Sequence, residues 1–232
     1  MSFSKIWPSL ALGATLLASV ACGGAPAATP TAGPSAVPTA AATPAAAPAS
    51  GTSVRIAFLP DASEASFRVK EQLAGRQLPT DAVGKTKAVT GTLVIGSDGR
   101  LLGEQSKVMV DMNSLQSDES RRDNFIKRNV LQTERFPQAE FVPRQIEGLA
   151  QPLPTDGATR FKLSGDLTVR GVTTPVTWDV TAQASGQEVN GTATTRVTFE
   201  QFGLTPPRVG PVLSVENELR LQLDFKATRA TV

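Results

Sequence analysis

The acidic residues in and just after the segment DMNSLQSDES are the first candidates for chemistry in this chain. Asp111, Asp118, Glu119 and Asp123 lie close together in sequence, and carboxylates can act as general acids, general bases or calcium ligands. A calcium loop would need an oxygen ligand where Leu115 stands and a glycine after it, and both are missing. We therefore expect these acids to cap a helix and to form surface charge rather than an active site.

Histidine is absent from the 232 residues, and Cys22 is the single cysteine. The chain therefore cannot build a Ser-His or Cys-His pair, a histidine metal site, an internal disulfide or a thiolate zinc cluster. The formal net charge of +2 is close to balance, and the sequence has no marked basic stripe. Both observations argue against a nucleic-acid partner. We expect no enzyme activity, no catalytic residue, no metal and no cofactor. Arg121 and Arg122 either form surface ion pairs, as with Asp123, or hold a phosphate head group.

The N-terminal 21 residues have the pattern of an export signal. Lys5 precedes a mostly apolar run from Ile6 to Val20, which is too short for a comfortable membrane span. The end of this segment, LLASVACGG, resembles a bacterial lipoprotein cleavage box in which Cys22 becomes the lipidated N-terminus. We expect a lipoprotein-type signal peptide over 1–21 and a membrane anchor at Cys22 that faces the periplasm or the cell exterior.

Residues 22–51 follow as an Ala/Pro/Thr-rich linker without charge. Proline blocks a helix across the alanine runs, and so few large apolar residues cannot order the segment. We expect a disordered tether between the lipid anchor and a folded domain over 52–232.

Alternation of apolar and polar residues dominates the sequence from Thr52 onward and predicts antiparallel strands. The clearest example is ELRLQLDFKA, with Leu219, Leu221, Leu223 and Phe225 on one face. SDG, TDG and SGQ (from Ser97, Thr155 and Ser185) have the composition of hairpin turns, and Gly171 is free to take positive φ. Eight or nine strands at this spacing favour a sandwich or an up-and-down barrel.

A single helix is predicted from Ser114 to Leu131, with Ser117 or Asp118 as its cap. Its outer side is charged, and one face is mostly apolar, so it would cover an open end of a barrel. Small residues on the inward strand faces either mark bends or leave space unfilled; they are Gly91, Gly165, Ala182, Gly191 and Ala193.

Five segments in order resemble the YceI-like family of exported, polyisoprenoid-binding proteins. They are FRVKE (from Phe67), SDESRRDNFI with RFPQAEF, GDLTVRGVTTPVTWDV (from Gly165), FEQFGL (from Phe199) and SVENELRLQLDF (from Ser214). The resemblance covers Val54 to Ala227. Glu71 and Arg170 stand where the family often has histidine, so no role of those imidazoles is carried over.

The resemblance implies an all-β fold, an antiparallel eight-stranded lipocalin-like barrel with one short α-helix between strands. Its tunnel would hold a long isoprenoid chain, such as that of a quinone or a lipid carrier, which is the partner we expect besides the membrane; a homodimer stays open. The alternative is a stalked interaction module with a solid barrel. The loop Phe202–Val212 either opens and closes one end of the barrel tunnel or is a plain surface loop. The expected ligand contacts are Phe67, Val69, Leu93, Val108, Phe125, Phe141, Leu167, Val169, Val176, Trp178, Phe199, Leu221 and Leu223.

Overall fold

Ten β-strands form one antiparallel sheet in the computed structural model, which describes residues 52–208 and 210–232. The strands are β1 (Val54–Phe58), β2 (Glu64–Leu73), β3 (Thr80–Thr86), β4 (Val89–Ile95), β5 (Lys107–Asp111), β6 (Gln138–Glu147), β7 (Asp156–Val169), β8 (Val172–Ser185), β9 (Glu188–Thr198) and β10 (Val212–Thr231). The predicted signal peptide, Cys22 anchor and tether lie outside the described residues and stay predictions.

The sheet closes because β1 pairs with β4 on one side and with β10 on the other. Strand β10 is long enough to pair with both β1 and β2, which lie end to end along the same edge of it. In the same way β3 and β4, separated by two residues, pair with β2 and β1 in turn. If β1 with β2 and β3 with β4 are each counted as one barrel strand, eight strands surround the interior. The predicted eight-stranded antiparallel barrel is therefore confirmed.

The alternation predicted from sequence decides which side chains face the interior. On β8, Val180, Ala182 and Ala184 are buried, whereas the intervening Thr181 and Gln183 are exposed. Successive side chains of a strand point to opposite faces, so a single strand can be apolar on its inner face and polar on its outer one. The turn between β7 and β8 contains Gly171 at φ +76°, as expected for a tight hairpin.

Three details of the predicted strands and turns differ from the structure. The short strand β1 and the polar strand β3 were missed, because neither offers more than a few alternating residues. The TDG segment is not a hairpin turn: Asp156 already pairs with Ser185 at the start of β7.

The helical segment is shorter than predicted. Helix α1 (Ser120–Phe125) continues as a π-helical turn, Ile126–Leu131. The preceding residues do not join the helix, because the Ser117 amide donates hydrogen bonds to the carboxylate of Asp123 at 3.0 Å instead. The helix cap is Glu119, whose carboxylate accepts from the Arg121 amide, so the prediction of Ser117 or Asp118 as the cap was wrong.

Candidate ligand cavity

The barrel contains an apolar cavity of about 310 Å³. All ten strands and the helical segment contribute to its wall, from Val54 and Arg229 near the chain ends of the barrel to Leu115 and Val130 at the other side. We call the end with α1 and the β7–β8 turn the helical end, and the end with the start of β1 and the close of β10 the distal end. The interior is therefore hollow along the barrel rather than filled by side chains.

Most of the residues predicted to contact a ligand lie in this wall. Eleven of the thirteen do so: Phe67, Val69, Leu93, Val108, Phe141, Leu167, Val169, Trp178, Phe199, Leu221 and Leu223. Val176 is buried in the hydrophobic core and Phe125 packs half-buried against that core, but both lie outside the wall. Contact of any of these residues with a ligand stays a prediction.

The small inward residues divide into two groups. The glycines mark places where strands approach closely: a Cβ on Gly165 would lie 2.4 Å from the carbonyl oxygen of Val142, and one on Gly191 would lie 2.3 Å from that of Thr181. Ala182 and Ala193, by contrast, line the cavity. Close approach of a neighbouring strand therefore accounts for the glycines. Of the two explanations left open by the sequence, unfilled space applies to the alanines.

A buried ion pair stands at the helical end of the cavity. Glu71 is 6% exposed and lies in the wall, and Arg122 Nη1 donates to its Oε1 at 3.2 Å. Arg122 Nη2 donates to Asp118 Oδ1 at 2.6 Å. The sequence left open whether Arg122 forms a surface ion pair, as with Asp123, or holds a phosphate head group. In the structure it pairs instead with Glu71 and Asp118, because α1 turns this side chain toward the barrel interior. Glu71 itself continues the inward alternation of Phe67 and Val69, which was the available sequence signal.

Two hydrogen-bond donors in the wall have no partner within the described protein. They are Arg122 Nε and Trp178 Nε1, and both atoms are buried. The Trp178 ring is held edge-to-face against Phe141, with the ring centroids 6.0 Å apart. Although both residues contribute to the wall, these two nitrogens are themselves covered by protein atoms.

Arg170 has a structural role at the helical end. Its Nη1 donates to the carbonyl of Val130 at 2.9 Å, near the end of the helical segment, and its Nη2 to the carbonyl of Gly203 at 3.4 Å. A cation at the C-terminal end of a helix is favourable. Arg170 lies outside the cavity wall, so it ties the β7–β8 turn to the elements that cover this end.

The covering elements include part of the loop that begins at Phe202. Phe202 and Leu204 are buried and, together with Pro207, belong to the cavity wall. At the distal end, Arg229 lies in the wall and donates from Nη1 to the carbonyl of Pro154 at 2.7 Å. Each end of the cavity therefore has one arginine in its wall, and only Arg122 has carboxylate partners among the described residues.

The acids singled out in the sequence serve local structure. Asp111 Oδ1 accepts from the Asn113 amide at 2.8 Å, and Asp123 binds the Ser117 amide. Within residues 52–208 and 210–232, no group of three acidic, histidine or cysteine residues is placed to hold a metal ion. In the same residues, no helix has the length and apolar character needed to cross a membrane.

The sequence model of the YceI-like domain matches residues 57–227. The chain belongs to the YceI-like family. Among curated proteins, this YceI-like chain is 32% identical over 113 residues to UPF0312 proteins of Pseudomonas putida strains GB-1 and W619. Each match covers 45% of this chain and 55% of the relative, so the chain spans about half the length of these relatives.

Solved structures share the YceI-like fold at low sequence identity. A polyisoprenoid-binding domain from Saccharophagus degradans, implicated in plant cell wall breakdown, superposes with a TM-score of 0.58 at 11% identity and covers 75% of this chain and 98% of that domain. Burkholderia cenocepacia BcnA gives a TM-score of 0.54 at 18% identity, with 75% of this chain and 99% of BcnA covered. These likenesses establish the barrel architecture of the YceI-like chain.

Proposed function

We propose that this YceI-like chain binds a long-chain isoprenoid or similar lipid in its barrel cavity, for storage or transport at the cell envelope. The observation that carries the proposal is the hollow interior, an apolar cavity of about 310 Å³ inside a closed barrel. A solid barrel would be expected of an interaction module, whereas an apolar cavity suits a ligand.

The chemistry of the wall fits a hydrocarbon chain. Three charged side chains contribute to the wall, namely Glu71, Arg122 and Arg229, and the remainder is mostly aliphatic or aromatic. Each methylene group that leaves water for such a wall contributes about 0.8 kcal/mol before ordering costs. Affinity would therefore grow with chain length. The structural neighbour from Saccharophagus degradans, which is named as polyisoprenoid-binding, supports an isoprenoid as the guest.

The cellular setting is proposed from the N-terminal sequence. The apolar run after Lys5 would direct export, and lipid chains on Cys22 would hold the protein at a membrane. The uncharged segment 23–51 would then let the barrel reach lipids at some distance from its anchor. The function proposed is binding rather than catalysis.

Organic extraction of the purified full chain followed by mass spectrometry tests the proposal. A co-purifying isoprenoid or quinone at close to one molecule per chain supports lipid carriage. The matched control is the Ala193→Phe variant, in which a ring would occupy the cavity and the extracted lipid should fall sharply. Clean extracts from the parent chain, together with no binding of added polyprenol after delipidation, would refute it.

A further inference from the structure

We infer that the helical end of the barrel docks on a lipid bilayer with anionic head groups. The contact would be made by two exposed leucines, Leu78 and Leu213, and two nearby arginines, Arg76 and Arg208, which we call the rim surface. The inference deepens the proposed lipid carriage, on which it rests, by naming the surface through which a lipid would pass between the bilayer and the cavity.

The first observation is a pair of exposed leucines on adjoining segments. Leu78 and Leu213 are the most exposed large apolar side chains of the described residues, at 77% and 60%. Leu78 lies in the β2–β3 loop and Leu213 at the start of β10, and these segments meet where the Ala74 amide donates to the carbonyl of Pro211 at 2.7 Å. Single exposed leucines are common on protein surfaces, whereas neighbouring ones indicate an interaction site.

The second observation is the position of the rim surface beside the cavity. Strands β8, β9 and β10 are successive antiparallel neighbours, so β10 begins at the end where β8 begins, which is the helical end. Pro207 and Val215 lie on either side of Leu213 in the chain, and both line the cavity wall. A lipid that left a bilayer in contact with this surface would reach the apolar cavity with little exposure of its chain to water.

The third observation is the difference in charge between the two ends of the barrel. The connecting segments at the helical end are 74–79, 112–137, 170–171 and 199–211, and those at the distal end are 96–106, 148–155 and 186–187. The segments at the helical end carry eight arginines and lysines against five acids, whereas those at the distal end carry one arginine against two acids. The helical end is therefore the one that an anionic surface attracts.

The rim surface combines both properties. Arg76 is two residues before Leu78, Arg208 is five residues before Leu213, and both arginines are exposed. Each cation near an anionic membrane surface strengthens binding by about 5-fold. A second copy of this chain would bring the same excess of positive charge to the contact, so the charge favours an anionic bilayer over self-association.

A single fluorescent label tests docking on the full chain. Cys22 is the single cysteine, so Cys22→Ser removes both the acyl anchor and the competing thiol. Leu213→Cys then carries one environment-sensitive label at the rim surface, and vesicles are added that contain phosphatidylcholine alone or equal parts of phosphatidylcholine and phosphatidylglycerol. We expect a blue shift and quenching by a membrane-embedded quencher, with binding roughly 10-fold to 30-fold tighter to the anionic vesicles.

Val232→Cys is the matched control for the label. Val232 is 56% exposed, close to the exposure of Leu213, and lies at the distal end. We expect a label there to show no blue shift and no quenching. Attachment to vesicles through residues 1–51 does not disturb this comparison, because both labels report from the same chain at opposite ends of the barrel.

Further substitutions in the labelled Leu213→Cys chain separate apolar contact from charge. Leu78→Gln should weaken binding to both kinds of vesicle by about 10-fold, the low end for burial of a leucine side chain. Arg76→Gln with Arg208→Gln should weaken binding to the anionic vesicles alone, by roughly 10-fold to 30-fold. Arg100→Gln, in a distal segment, is the matched control and should change neither. All four residues lie outside the cavity wall, so the affinity for polyprenol without vesicles should stay unchanged.

Three results would overturn the inference. They are equal responses from the labels at the two ends, binding that depends neither on phosphatidylglycerol nor on the two arginines, and a blue shift that follows protein concentration without vesicles. The last result would assign the rim surface to a second copy of this chain. In each case polyprenol still binds and lipid carriage stands. Loss of polyprenol binding with normal docking would instead refute the proposed function, so the two failures are distinguishable.

Discussion

Filling the cavity should stabilise the barrel and at the same time weaken lipid binding. Ala193 faces the cavity from β9 and is 7% exposed, so Ala193→Phe would place a phenyl ring in the hollow interior. Burial of a Phe side chain contributes about 2 kcal/mol, which raises the melting temperature of a barrel of this size by roughly 4–8 °C. The same ring would displace about one isoprene unit of ligand, or about five carbons. At about 0.8 kcal/mol per carbon this costs about 4 kcal/mol, a loss of affinity of about 1,000-fold.

Thermal unfolding and polyprenol titration of the delipidated full chain measure both quantities. Delipidation matters because a ligand that binds only the folded state raises its stability by mass action. Thr181→Phe is the matched control, since Thr181 is exposed on the outer face of the neighbouring strand β8. We expect this control to keep its lipid affinity.

A hollow barrel and a filled barrel predict opposite changes in the stability of Ala193→Phe. In a barrel whose interior is already filled, Ala193→Phe would overpack the core and lower stability by about 1–3 kcal/mol. A lower melting temperature combined with unchanged lipid affinity would therefore refute the hollow-barrel reasoning.

Three further predictions concern the scaffold and the anchor. Gly165→Ala should destabilise the barrel by about 1–3 kcal/mol in chemical denaturation, because the new Cβ would meet the strand β6 backbone; Gly103→Ala, whose Cβ would find its nearest neighbour at 3.6 Å, should be close to neutral. The pKa of Lys162 is raised above 10.5, first by its hydrogen bond to Asp179 and then by the charge of that carboxylate. The small stabilisation from this exposed pair is therefore present below pH 10.5 and lost as the pH rises through the raised pKa; in Asp179→Asn, NMR titration should find the pKa of Lys162 closer to 10.5. Cys22→Ser should move the protein from the membrane fraction to the soluble fraction, and unchanged fractionation would remove the lipid anchor from the proposal.

Sequence periodicity was sufficient to predict the antiparallel strands, because each inward face must be apolar over several alternating residues. It left a sandwich and a barrel open, and the eight-stranded barrel was implied by the resemblance to the YceI-like family. Strand β3 lacked that signal: four of its seven residues are polar, namely Thr80, Asp81, Lys85 and Thr86. Its place in the sheet is set by pairing with β2. Pairing of this kind depends on neighbours distant in sequence, so local pattern cannot reveal it.

The polar part of the site was hidden for a different reason. Arg122 lies in a run of charges that has the composition of a solvated helix surface, and its partner Glu71 is 51 residues away. Only closure of the barrel brings the two together. The inward position of Glu71 on β2 was visible in the alternation, but the helix predicted from Ser114 was six residues too long at its start and gave no reliable orientation for Arg122.

The exposure of the inward residues explains how a hollow barrel and a lipid ligand belong together. Leu219, Leu221, Leu223 and Phe225 all face the cavity from β10, yet the structure leaves each of them only half-buried. In a close-packed interior such residues would be covered by their neighbours. The barrel keeps its shape without that packing because its strands are held in a closed hydrogen-bonded ring, which has no free edge to collapse. A bound hydrocarbon chain would bury these side chains, so the ligand would fill the part of the interior that the protein's own side chains leave empty.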